Sequence, residues 1–134
     1  MSLETTITLS EKDYLKIKNI LQHLDDENSE NLEIELDRAI LVTDTEVPQD
    51  LVTMNTKFVF KNLTDNKEQE ATIVYPGEAN SNEGKISILA PLGAALIGLK
   101  IGQGITWAFP DGKSRKLVID RILYQPEKNG DWHL

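Results

Sequence analysis

Residues 84–98 read GKISILAPLGAALIG, and no other stretch restricts the fold so tightly. Ile86, Ile88 and Ala90 alternate with Ser87 and Leu89, the pattern of a half-buried strand. Pro91 suits the first position of a helix, where its missing N–H loses nothing. Leu92, Ala95, Leu96 and Leu99 recur at helical spacing, and Gly98 can end that helix. The stretch predicts a strand, a proline corner and a short apolar helix in immediate succession.

At 134 residues the chain suits one compact domain, or a small domain with an appendage. No apolar run approaches the roughly 20 residues that span a bilayer, and the amino end lacks the basic-then-apolar pattern of a secretory signal. Cysteine is absent, which excludes disulfide and thiol chemistry; a zinc site would need His and carboxylate ligands. A cytoplasmic protein without membrane contact is the expectation.

Charge divides the chain. Residues 1–46 hold twelve acids and four bases, whereas residues 47–134 balance ten acids with ten bases, so all of the net charge of −8 sits in the first third. An acidic appendage repels phosphates, so direct nucleic-acid binding is not expected; a basic protein partner suits it, as does a plain solubilising role.

The first third predicts a short antiparallel helical hairpin. Leu9, Ser10 and Asp13 make a helix start: an apolar residue, a Ser cap and an acid three residues on. Tyr14, Ile17, Leu21 and Leu24 follow at coiled-coil spacing, with Lys12, Lys16 and Lys18 outside the seam. Residues 25–31, DDENSEN, break the pattern and offer Asn28 or Ser29 as the next cap; Leu32, Leu36, Ala39 and Ile40 give the returning seam. Helices of about 12–15 residues would each measure roughly 20 Å. Such a pair is marginal alone and must rest on the remainder. Pro48 pushes Val47 to an extended conformation in the polar connection.

The remainder predicts an α+β sheet domain over residues 47–134, with five or so strands and one short helix. KFVFKN at 57–62 alternates, 64–66 is a turn, and EATIVY at 70–75 is stopped by Pro76-Gly77. Ile105, Trp107 and Phe109 make the next strand. The turn Pro110-Asp111-Gly112 pairs it with a long last strand ending near Tyr124.

Few residues invite chemistry. His23 and His133 have no arrangement with Ser or Asp that supports catalysis, and Gly98, Gly102 and Gly104 precede no phosphate-binding helix. Arg115, Lys116 and Arg121 share a strand with Asp120, and Trp107, Phe109 and Tyr124 suit a core better than a ligand cage. Asp25, Asp26, Glu27 and Glu30 cluster at the hairpin tip, where carboxylates serve either as caps of a helix–helix turn or as holders of Mg²⁺ in another protein's active site. Neither a cofactor nor a resident metal is expected.

A helical hairpin followed by a sheet domain with GKIS…AP…GAALIG resembles the GreA/GreB transcript cleavage factors, and more closely the Rnk-type regulators of nucleoside diphosphate kinase. The resemblance runs through 35–39, Pro48, 52–55, 60–63, 74–76, 90–99, Trp107, Pro110 and 124–127 in order. It implies an FKBP-like, antiparallel sheet domain that docks on RNA polymerase at the secondary-channel rim, with the hairpin (1–46) pointing into the channel. Docking would use the loop of Ser87, Leu89 and Pro91; Leu89 stands where cleavage factors carry an acidic or amide residue. Prolyl isomerase activity is not expected, since no aromatic-lined pocket can be assembled. An arm of roughly 20 Å is too short to bring Asp25 or Glu30 to the polymerase metal. The expected function is non-catalytic competition with Gre-type factors. The alternatives are an active cleavage factor working through its tip carboxylates and a general protein-binding or chaperone-like module. Any effect on nucleoside diphosphate kinase would be indirect.

Overall fold

The computed structural model describes residues 6–108 and 111–132; Phe109, Pro110 and His133, each named above, lie outside them. Strand β1 (Thr8–Ser10) runs directly into helix α1 (Glu11–Leu21). Ser10 caps this helix as the sequence predicts, its Oγ accepting the Asp13 N–H at 3.1 Å. Helix α2 (Glu27–Asp37) packs beside α1: Lys18 and the Tyr14 hydroxyl donate to Asp37 at 3.0 and 3.1 Å, and Lys18 lies 3.7 Å from Glu33.

Several expectations for this region need correction. Each helix has 11 residues, which gives a length of about 16 Å. Leu24 falls beyond the end of α1 and is exposed, leaving the buried face to Ile17 and Leu21. The cap of α2 is Asp26, not Asn28 or Ser29, because the helix already starts at Glu27. Ile40 is not helical. Residues Ile40–Val42 form strand β2, which pairs in parallel with β1, Thr8 opposite Ile40 and Ser10 opposite Val42.

Five further strands make one sheet in the order β5-β4-β3-β7-β6, built from β3 (Lys57–Asn62), β4 (Lys67–Val74), β5 (Lys85–Ser87), β6 (Gly104–Ala108) and β7 (Ser114–Tyr124). The sheet is mixed, not antiparallel throughout: β5 joins β4 in parallel, and the other pairings are antiparallel. Irregularities in the β3–β7 register, at Lys57/Phe58 and Val59/Phe60, increase the local twist. Besides helix α3 (Pro91–Leu96) there is a second helix in this part, α4 (Pro126–Asn129).

One apolar cluster joins both parts of the chain. Ile17, Leu21, Leu32 and Leu36 of the helices share it with Phe58, Phe60, Ile73 and Leu117 of the sheet. The outer face of β3 is charged instead. There Lys57 meets Glu70 at 3.5 Å, and Lys61 meets Asp120 at 3.8 Å. No described helix is long and apolar enough to cross a membrane.

Candidate functional site

The corner at 87–91 is fixed by its own backbone. Strand β5 stops at Ser87, earlier than the alternation up to Ala90 predicts, because the Ser87 hydroxyl accepts the Leu89 N–H and the Ser87 carbonyl accepts the Ala90 N–H, each at 3.0 Å. The chain therefore turns before Ala90. Pro91 takes the first position of α3, and Gly93 packs so tightly that a Cβ there would lie 2.3 Å from the Ser87 carbonyl oxygen. The result places Pro91 at the surface, with Ser87 and Leu89 half-buried beside it. Gly98, left-handed at φ +78° just beyond the helix, donates to the Val52 carbonyl and accepts the Thr8 N–H at 3.0 Å. The same stretch thus presents the 87–91 turn and anchors β1.

Of the tip carboxylates, Asp25 and Asp26 lie between α1 and α2, and Glu27 and Glu30 begin α2. Both oxygens of Asp26 serve the cap: Oδ1 accepts the Ser29 N–H and Oδ2 the Ser29 hydroxyl, each at 2.9 Å. Asp25, Glu27 and Glu30 are exposed, the last two in the first turn of α2, where the helix dipole favours negative charge. Among the described residues no group of three or more His, Cys, Asp or Glu side chains is placed to hold a metal ion. Ser87, Leu89 and Pro91 come together at one corner, and Asp25, Asp26, Glu27 and Glu30 gather at the start of α2, on separate elements.

The other candidates resolve into structure. Arg115 pairs with Asp111 at 2.6 Å, and Arg121 pairs with Asp120 at 2.6 Å and Glu68 at 3.1 Å, so these two cations of the strand face are matched by acids. Trp107 is half-buried against the core, and the Tyr124 hydroxyl donates to Asp131. His23 is exposed.

One polar group escaped the sequence. Asp13 reads as an ordinary acid of a first helical turn, yet it is 2% exposed. Its Oδ2 accepts the Met54 N–H at 3.2 Å. Burial pushes its carboxyl up to about 7, against the Met54 bond, and the charge of Glu127 adds to the rise. Glu127 in turn accepts a hydrogen bond from Thr53 at 2.7 Å. The buried Tyr75 hydroxyl lies beside Asp13 without a hydrogen bond of ordinary geometry, and burial, then the Asp13 charge, holds its pKa well above the usual phenol range. No local pattern signals this cluster, since its members come from α1, the 53–54 segment, the residue after β4, and α4.

The family model describing the carboxyl-terminal domain of the GreA/GreB transcription elongation factors matches residues 47–124. The regulator of nucleoside diphosphate kinase of Escherichia coli K12 is 42% identical over 103 residues, covering 77% of this chain and 76% of that protein. GreA of Clostridium botulinum (strain Eklund 17B) is 37% identical over 89 residues, 66% of this chain but 56% of GreA. A solved structure of a prokaryotic transcription elongation factor GreA/GreB from Nitrosomonas europaea superposes with a TM-score of 0.78 at 36% identity, covering 90% of this chain and 100% of that one. So high a coverage takes in residues ahead of the segment that the family model matches.

Proposed function

This chain belongs to the GreA/GreB family of transcription elongation factors, and from that membership we propose that it is a non-catalytic regulator of RNA polymerase. In this reading residues 47–134 are the docking unit, an FKBP-like domain that seats the turn of Ser87, Leu89 and Pro91 on the rim of the secondary channel. Residues 1–46 are a short hairpin pointing inward, with Asp25, Glu27 and Glu30 facing the basic rim. The regulator occupies the channel entrance and competes with Gre-type factors for it.

The length of the helices carries the proposal. Elements of 11 residues extend about 16 Å, and a carboxylate's field through salt water fades within about 10 Å. An acid that stops short of the polymerase metal cannot help to bind it. A further observation supports the reading: Asp26 is committed to its cap through both oxygens. An influence on nucleoside diphosphate kinase, the subject of the Escherichia coli relative's name, would follow indirectly from transcription.

The test is binding of the purified chain to core RNA polymerase at low salt, with displacement of a GreB-type factor as readout. We expect saturable, salt-sensitive competition and no stimulation of RNA shortening in stalled complexes. No binding at low salt refutes the proposal. Stimulated shortening that Asp25→Ala abolishes would instead identify an active cleavage factor, and broad capture of unrelated proteins a general binding module.

A further inference from the structure

Beside the apolar contacts of Ile17 and Leu21, the first turn of α1 meets the sheet unit through an acid whose charge only the helix N-terminus and one backbone donor support. Asp13 accepts one hydrogen bond, from the Met54 N–H. The charged and titratable groups that face it are mostly acidic: Glu127 from α4 and Asp44 from the turn after β2, with the Tyr75 hydroxyl beyond β4 and Glu78 near that hydroxyl. On its own helix, Lys12 donates to the Trp132 carbonyl, and Lys16 lies over the Tyr75 ring, 5.6 Å from its centre. A neutral carboxyl fits this setting. It accepts from Met54 through one oxygen and has a proton to offer the unpartnered Tyr75 hydroxyl. An ionised carboxyl gains the Tyr75 O–H as a second donor and the charge of Lys12 nearby, but it has no buried cation, and burial together with the charges of Glu127 and Asp44 outweighs these gains.

We propose that Asp13 is a proton-operated latch between α1 and the sheet unit. As a neutral acid it holds the first turn of α1 on the 53–54 segment, and on ionisation it lets that turn lift into solvent. The helix pair stays tethered meanwhile by β1, whose Thr8 is bonded independently to Gly98. The latch does not depend on which partner the chain binds.

The direction follows from the buried state holding its proton up to about pH 7, whereas a solvated Asp loses it near 3.8. Between those values the closed state binds the extra proton. Closure is therefore complete at the acid end of the window and weakens as pH rises through it, levelling off above about pH 7. The experiment uses the full chain. The exchange protection of the Met54 amide, corrected for intrinsic rates, should fall about tenfold between about pH 6 and pH 8. In Asp13→Asn it should not change over that interval. As a measurement that needs no variant, the Asp13 carboxyl resonance of the native protein should titrate far above the ordinary Asp range. A titration near the ordinary value, a native profile that stays level, or a fall that Asp13→Asn shares overturns the latch.

Discussion

A methyl group at Gly93 would meet the Ser87 carbonyl oxygen at 2.3 Å, and its position, like that oxygen's, is fixed by the backbone. No rotamer change relieves it. Gly93→Ala should therefore destabilise the protein by at least ~2 kcal/mol, as overfilled interiors do, and the urea midpoint should fall accordingly. Gly77→Ala is the matched control: nothing lies within 4 Å of the added atom and the backbone is not left-handed. It should change stability by no more than ~0.5 kcal/mol. A second pair of neighbours separates folding from docking. Asp26→Ala removes both acceptors of Ser29 and should cost about 1 kcal/mol. Asp25→Ala, exposed and outside the cap, should leave stability within ~0.5 kcal/mol of native and weaken polymerase binding only.

Among the elements, those set by local chemistry were legible in the sequence. The Ser10 cap, the alternation of β3, and Pro91 at the start of α3 each depend on residues a few positions apart. Strand β2 was not legible. Ile40, Leu41 and Val42 fit a helix face as well as a strand, and what decides is pairing with β1, far earlier in the chain. The start of α2 is ambiguous in the sequence because Asp, Asn and Ser all cap helices, and DDENSEN contains all three. The same division applies to the candidate site. In the 87–91 turn only Pro91 at the start of α3 is legible: the alternation carries the strand on to Ala90, whereas Ser87 ends it by accepting the Leu89 and Ala90 N–H groups. The burial of Asp13 goes with a contact to Met54, forty-one residues on, and an acid in a first helical turn gives no local sign of it. Leu36 shows how firmly the helices are seated: it is 1% exposed in the cluster shared with the sheet. Leu36→Ala should cost about 2–5 kcal/mol in denaturant unfolding.

For the molecule as a whole, a continuous core means that the helix pair and the sheet should melt together. Far-ultraviolet circular dichroism and the fluorescence of Trp107 on β6, read in a Trp132→Phe background, should report one midpoint. Leu36→Ala should move both signals equally. An earlier loss of helical signal would mean that the helices are seated less firmly than their shared core implies. The bond from Thr8 to Gly98 carries a last consequence. With that seam and the Asp13–Met54 contact in place, the covalent link through residues 43–47 is not what keeps the two portions in register. A chain severed there should survive as a non-covalent complex of two fragments, and separately made fragments should find each other and restore the native fold.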